Sequence, residues 1–208
     1  MSRSAPRTWL PLLALLLSAC SDGSPTAPAD DLGLPGDQPM AAVLPDLTPE
    51  PGSEGTDRYV PALDRILMRA VHVIREKAGA EAAGKVVAEA RTLHQAVRAA
   101  RDAGDQTALG QAIRRLEGFE ARVGLRVFGA GVVRHVHADA AKRLDAVAAK
   151  IKAAADAGKD VTRAQQAAQT VRRHLAAARE AAGKEQMVVA LVHAAHALDL
   201  VTRIGAAL

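Results

Sequence analysis

The sequence has few of the residues that common catalytic and metal sites require. It contains 208 residues and one cysteine, Cys20, which excludes a disulfide framework, a cysteine-rich zinc site and a CxxCH haem attachment. No serine follows Ser53, so a serine or cysteine nucleophile is excluded from the rest of the chain. A glycine-rich phosphate loop, a His-Glu-x-x-His motif and a nucleophile elbow are also lacking. We therefore expect a protein that is not an enzyme.

Proline and aromatic residues are scarce in most of the chain. All 10 prolines lie at or before Pro61, and a long proline-free span is typical of helices. After residue 57 the aromatic residues are Tyr59, Phe119 and Phe128. Surfaces on which bases could stack are therefore lacking, and we expect no nucleic-acid partner.

Charge divides the chain into three parts. Residues 1–20 carry two arginines and no acid, residues 21–57 carry eight acids and no lysine or arginine, and residues 58–208 carry 25 basic and 15 acidic side chains. The acidic part is rich in Pro, Gly, Asp, Ser and Thr and has no helical or strand periodicity, which predicts disorder. The sequence therefore predicts a signal peptide over 1–19, a disordered acidic tether over 20–57 and a helical domain over 58–208.

The first 20 residues are organised like an export signal. Arg3 and Arg7 precede an apolar stretch, residues 9–17, that is too short to span a bilayer. Leu17, the last residue of this stretch, begins the sequence Leu17-Ser18-Ala19-Cys20. These four residues resemble the lipobox of bacterial lipoproteins, although this resemblance covers the leader alone. In that family the cysteine is acylated, with palmitate among its chains, and becomes the new amino terminus. The resemblance implies a lipid anchor at Cys20 and a location in the bacterial cell envelope.

Two points about the leader and the tether stay open. Ser21 follows the cysteine, and the family's sorting rule then slightly favours the periplasm-facing outer membrane over the inner membrane. An ordinary secretory leader that happens to contain a cysteine is the alternative. The acidic tether is expected to hold the domain away from the membrane, or else to fold back on the basic domain as a weak partner.

From Tyr59 onward, apolar residues recur every three or four positions, which predicts an all-α fold of about six amphipathic helices. The predicted helices cover about 59–78, 81–103, 106–128, 132–157, 160–182 and 185–204. The predicted helix ends are Gly79, Gly104, Gly129 or Gly131, Gly158 and Gly183, because glycine readily adopts a positive φ. The predicted N-caps are Asp105 and Asp160. Short connections make neighbouring helices antiparallel, so we expect an antiparallel bundle.

Three features of this bundle are less definite. Fewer and longer helices are possible, because Gly79 and Gly131 could lie inside one. The last predicted helix is apolar nearly all round, so it is expected to be the most buried. Residues 92–103 resemble residues 170–181 at an offset of 78, which would make the domain two three-helix repeats. Alanine-rich helices also converge by composition, so the duplication stays open.

Several side chains are candidates for binding a metal. His193, His196 and Asp199 follow at steps of three on the last predicted helix, a spacing at which histidines can chelate. Asp199 can instead pair with Arg203. His137 and Glu120 fall on apolar stripes, and a carboxylate in a core must be paired, protonated or metal-bound. The absence of Glu-x-x-His counts against a di-iron site, and a small rotation that brings Glu120 to solvent is the alternative.

Other polar pairs favour solvated faces. His72 and Glu76, like His135 and Asp139, are four residues apart on predicted helices, as salt-bridged surface pairs are. The two arginine pairs, Arg114-Arg115 and Arg172-Arg173, could meet anionic lipid headgroups or an anionic envelope polymer. The alternative is that the basic residues serve solubility alone.

The sequence thus supports two hypotheses of function. The first is a lipid-anchored envelope protein with a non-enzymatic binding or structural role. The second is an envelope bundle that binds a transition metal or haem through Glu120, His137, His193 and His196.

Overall fold

The computed structural model describes residues 60–208, and within this range it contains five α-helices and no strand. These are α1 (Pro61–Asp102), α2 (Gln106–Phe128), α3 (Gly131–Asp156), α4 (Thr162–Gly183) and α5 (Met187–Ala207). The predicted all-α class is therefore confirmed for this part of the chain. The predicted signal peptide, the lipidated Cys20 and the tether lie outside the described residues.

The number of helices differs from the prediction, because two predicted helices form the single element α1. Inside α1, Gly79 has the non-helical angles φ 89° and ψ 170°, a region that is essentially restricted to glycine. In a straight helix, Asp64 and His94 would lie about 45 Å apart. Their side-chain oxygen and nitrogen atoms instead lie within 4.8 Å of each other. The chain therefore folds back at Gly79, and residues 61–78 run antiparallel to residues 80–102.

The helix boundaries follow most of the predicted signals. Positive φ values occur at Gly104, Gly129 and Gly158, as expected for glycines beyond helix ends. The Asp105 side chain caps α2 by accepting a hydrogen bond from the Ala108 N–H at 2.9 Å. The prediction for Gly183 is wrong: α4 includes this glycine, and Glu185 takes the positive φ of 60° instead.

A second cap prediction is met only in part. Val161 occupies the N-cap position of α4, one residue after the predicted Asp160. The Asp160 carboxylate nevertheless accepts a hydrogen bond from the Thr162 N–H at 2.9 Å. This bond is the main reason that the pKa of Asp160 is lowered. The aspartate thus still satisfies a backbone donor of the first turn, which is the purpose of a cap.

Helix α5 lies at the centre of the bundle and contacts each of the other four helices. Its first half packs against α1, α2, α3 and α4 through Ala190, Leu191 and Ala194. Its second half packs against α3 and α4 through Ala197, Val201 and Ile204. The expectation that this helix would be the most buried is met only in part: α2 has more buried residues, ten against seven, but α5 has the smallest share of exposed residues, four of 21.

By length and composition, α5 is also the one helix among the described residues that could cross a membrane, with a mean hydropathy of 1.5 over its most apolar window. The core helix of a water-soluble bundle meets the same criterion. Because its buried residues contact four other helices, its apolar composition is accounted for by the bundle.

The folded-back α1 packs closely against α2. Leu67 and Ala90, from its two halves, share a buried cluster with Phe119 of α2. At Gly124 a Cβ atom would lie 2.5 Å from Cγ2 of Ile66, so the helices can approach this closely because the side chain is missing. This packing turns one face of α2 toward α1 and leaves another toward α5. Whether the two sets of three helical segments are repeats stays a prediction.

Candidate metal centre

Three histidines from two adjacent helices meet in the bundle. Helix α5 carries His193 and His196, which lie three residues apart and therefore on neighbouring positions of one face. Helix α4 carries His174 next to the buried Leu175. Glu117 of α2 joins them from a third helix and is 5% exposed. We call these four residues the histidine cluster.

The rings of the histidine cluster are in direct contact. The Nδ1 atoms of His174 and His193 lie 3.2 Å apart. The ring of His174 also stacks on that of His196, with centroids 5.2 Å apart and planes 9° apart. On its other side, His196 places Nε2 3.0 Å from Oε1 of Glu117. The four side chains thus form one continuous group.

The surroundings of the cluster keep two of its imidazoles neutral. The pKa of His174 is lowered to about 4, first by burial and then by the positive charges that His196 and His193 would carry. Burial and His196 also lower the pKa of His193, while the carboxylate of Glu117 opposes this change. Near pH 7 both rings are therefore neutral, and one Nδ1–H can donate a hydrogen bond to the other Nδ1.

The side chains of the histidine cluster are of the kinds that bind transition metals. A metal needs neutral imidazole, so a histidine that is already neutral gives up no proton on binding. Two nitrogens bound to one tetrahedral zinc ion at its usual bond length lie about 3.3 Å apart. The distance between Nδ1 of His174 and Nδ1 of His193 is close to this value. Glu117 in turn occupies the place of a carboxylate that orients a metal-binding histidine.

A second polar cluster lies between the halves of α1 and helix α2. We call Asp64, His94, Arg98 and Glu120 the charged network. His94 and Glu120 are 3% and 0% exposed, and His94 Nε2 lies 3.9 Å from Oε1 of Glu120. One ligand atom from each of Asp64, His94 and Glu120 lies within 4.8 Å of the others, so these three could also surround a cation.

The charged network already contains a positive charge. Burial is the largest cause of the lowered pKa of His94, followed by the opposing effect of Asp64 and then by the guanidinium of Arg98. Arg98 therefore supplies a counter-charge for the carboxylates. Its members come from residues 61–78, residues 80–102 and α2, so the network connects three helical segments.

The four residues predicted to bind a metal do not lie together in the structure. His193 and His196 belong to the histidine cluster, Glu120 belongs to the charged network, and His137 lies half-buried on α3 in neither group. Glu120 is fully buried, so the alternative in which it turns to solvent is wrong. The predicted alternative partner of Asp199 is confirmed, because Arg203 Nε lies 3.1 Å from its carboxylate.

One of the two expected surface pairs of histidine and acid is present. His72 and Glu76 lie 3.1 Å apart with more than half of each side chain exposed, at 67% and 63%. The second expected pair is absent, because the carboxylate of Asp139 lies 3.1 Å from Nε of Arg143 and pairs with it rather than with His135. Neither pair has the burial of the histidine cluster.

The sequence patterns did not single out four residues of these two clusters: Asp64, His94, Glu117 and His174. His94 and His174 each stand beside an apolar stripe, three residues before Val97 and three residues after Val171. Glu117 lies three residues before Glu120 and shares its side of the helix. A search for every polar side chain beside a stripe would have found them, but not which of them meet.

No protein-family model, no curated protein and no solved structure matches this chain.

Proposed function

We propose that this chain is a lipid-anchored protein of the bacterial cell envelope whose helical domain binds a transition-metal ion at the histidine cluster. The role is binding rather than catalysis. The ligand set is imidazole nitrogen from His174, His193 and His196, with Glu117 orienting His196. Such nitrogen ligands suit Zn²⁺, Cu²⁺ and Ni²⁺ better than Mg²⁺ or Ca²⁺.

The observation that carries this proposal is the 3.2 Å separation of Nδ1 in His174 and Nδ1 in His193. Two imidazole nitrogens on different helices come this close when they share either a proton or a metal ion. Their third neighbour, His196, stacks on His174 with ring centroids 5.2 Å apart, so its imidazole is the candidate for a third nitrogen ligand. The lowered pKa of His174 leaves its ring neutral at the pH of most bacterial surroundings.

Glu117 supports the same proposal. A histidine that gives one nitrogen to a metal commonly donates the N–H of its other nitrogen to a carboxylate. The Nε2 atom of His196 lies 3.0 Å from Glu117, which leaves its Nδ1 for the metal. The carboxylate also supplies negative charge next to the cation in a buried setting, where charge interactions are strong.

We favour the histidine cluster over the charged network for two reasons. The network contains Arg98, whose positive charge acts on His94 and would repel a second cation. The network is also deeper, since Glu120 is fully buried whereas the His196 side chain is 20% exposed. A metal ion therefore reaches the histidine cluster with less rearrangement of the bundle.

The envelope location is supported by the lipobox resemblance at Cys20 and by the uneven charge of the chain. Two or more acyl chains on one cysteine give stable membrane anchoring, whereas one chain does not. The anchor would keep a metal-binding domain at a membrane surface, with the acidic tether between them.

Metal titration of the full chain tests the proposal. After dialysis against a chelator, one equivalent of Zn²⁺ or Cu²⁺ should bind in calorimetry. At a free metal concentration 100 times Kd, the stabilisation should be about 2.7 kcal/mol. For a domain of this size, that corresponds to an increase in Tm of about 5–10 °C.

Matched variants locate the site. His174→Gln and His193→Gln should each weaken binding at least tenfold, while His72→Gln, at an exposed position, should leave it unchanged. Loss of binding in His94→Gln with retention in His174→Gln would move the site to the charged network. No stoichiometric binding of any first-row divalent ion would contradict the proposal.

A further inference from the structure

A groove lined by arginines lies between α2 and the second half of α1, on the surface of the bundle. Its volume is about 550 Å³, which is within the usual range for ligand sites, and it is open to solvent. It is lined by Glu89, Leu93, Gln111, Arg114, Arg115 and Arg122. The other exposed arginine pair of the sequence, Arg172-Arg173 on α4, is not part of this lining.

The spacing along α2 places two of the basic side chains on one stripe and the third at its flank. At 100° per residue, Gln111, Arg115 and Arg122 fall within about 40° of one another around the helix axis, and Arg114 lies about 60–100° from them. Helical side chains lean toward the amino terminus, so the guanidinium of Arg122 is directed back toward Arg115. Three guanidinium groups thus face one groove.

A glycine lets Arg122 adopt this position. Gly118 lies on the same stripe, and a Cβ atom built there would be 3.3 Å from Nη1 of Arg122. The guanidinium therefore lies against the bare backbone at Gly118. Glycine in the middle of a helix lowers stability by about 1 kcal/mol relative to alanine. Gly118 thus makes α2 less stable but leaves room for the guanidinium of Arg122.

The groove carries more positive charge than its own residues balance. Some lysines and arginines elsewhere in residues 60–208 pair with acids four positions away, as in Lys85–Glu81 and Lys184–Glu180. Within the same range, none of the three groove arginines has an ion pair within 4.0 Å, although Glu89 lines the groove. Like charges held together in this way are stabilised by an anion.

We propose that this groove binds a ligand that carries more than one phosphate group. Guanidinium forks match phosphate oxygens in pairs, and three of them in one groove suit a chain of phosphates or several lipid phosphates. The lining offers Leu93 and no aromatic side chain, so a nucleobase would find no stacking surface. The site is independent of the histidine cluster, which lies between α2, α4 and α5.

Calorimetry with sodium tripolyphosphate and the full chain carrying Cys20→Ser tests the site. We expect saturable binding at 50 mM salt that weakens at least tenfold at 300 mM salt, because charge interactions at a surface are screened. The variant Arg114→Gln/Arg115→Gln/Arg122→Gln should lose at least tenfold in affinity. The control Arg163→Gln/Arg172→Gln/Arg173→Gln removes the same charge from α4 and should change affinity less than threefold.

Gly118→Ala separates placement of Arg122 from net charge. The new methyl group would displace the guanidinium, so we expect affinity to fall two- to fivefold while the Tm is unchanged or higher. Vesicles of phosphatidylglycerol, with phosphatidylcholine as control, distinguish the source of the phosphate. Retention on phosphatidylglycerol alone identifies lipid headgroups, and binding of tripolyphosphate alone identifies a soluble polyphosphate. Equal losses in the two triple variants, or no binding of either probe at 50 mM salt, would overturn the proposal.

Discussion

Mild acid should destabilise the protein through the histidine cluster. The pKa of His174 is lowered from 6.5 to about 4, first by burial and then by its histidine neighbours. The unfolded chain therefore binds a proton at a pH where the folded chain does not. The stability that this group contributes is present above pH 6.5 and is lost as the pH falls toward 4. His193 and His94 have lowered pKa values as well and act in the same direction.

The size of the effect follows from the two pKa values of His174. Between pH 7 and pH 5 the difference in proton binding corresponds to about 2 kcal/mol. Because the ring is only partly buried, we expect about 1–2 kcal/mol for this residue. The window ends at pH 5 because the lowered carboxylate pKa values, such as that of Glu180, affect stability only in stronger acid.

Urea unfolding followed by circular dichroism at pH 7, 6 and 5 measures this loss. His174→Gln removes the titrating ring, so its stability should fall by about 1–2 kcal/mol less than that of wild type over the same range. His72→Gln, at an exposed position, is the matched control and should follow wild type. Equal losses of stability in His174→Gln and wild type between pH 7 and pH 5 would refute this prediction.

The remaining predictions concern the backbone and the anchor. Gly79→Ala should lower the free energy of unfolding by about 1–3 kcal/mol, because the backbone angles at Gly79 strain any other residue even though a Cβ there contacts nothing. Gly84→Ala, at an open helical position, should instead raise the free energy of unfolding by up to about 1 kcal/mol. Equal changes of the two variants in urea unfolding would refute the fold-back at Gly79. Gly124→Ala should lower the free energy of unfolding by about 1–2 kcal/mol, because the new methyl group would collide with Ile66. A rise in Tm would contradict the close contact between the helices. Cys20→Ser should move the protein from the membrane fraction to the soluble fraction or block its maturation, whereas equal incorporation of labelled palmitate would exclude the anchor.

Much of the fold follows from local patterns in the sequence. Apolar spacing identifies each helix, and glycine marks the turn at Gly79 because few residues tolerate its backbone angles. The number of helices differs from the prediction, since residues 61–78 and 80–102 belong to the single element α1, although the chain reverses at Gly79 between them. At the end of α4, Glu185 rather than Gly183 has a positive φ, so the position of glycine alone did not locate this helix end.

The candidate site was harder to predict than the fold. Helical spacing says which residues share a face, but it does not say which faces meet. Glu117 and Glu120 are about 60° apart around α2, and this rotation decides that one contacts His196 while the other lies beside His94. His174 and His193 are 19 residues apart on different helices, so only the packing of α4 on α5 brings them together.

The most direct test of metal binding is a nuclear magnetic resonance titration of the histidine side chains. In the full chain, long-range proton–nitrogen spectra would follow each imidazole as Zn²⁺ is added. We expect the ring nitrogens of His174, His193 and His196 to shift together and to saturate at one equivalent, while those of His72 and His135 stay in place. Shifts confined to His94, or equal small shifts of every histidine that continue beyond one equivalent, would contradict a metal centre at the histidine cluster.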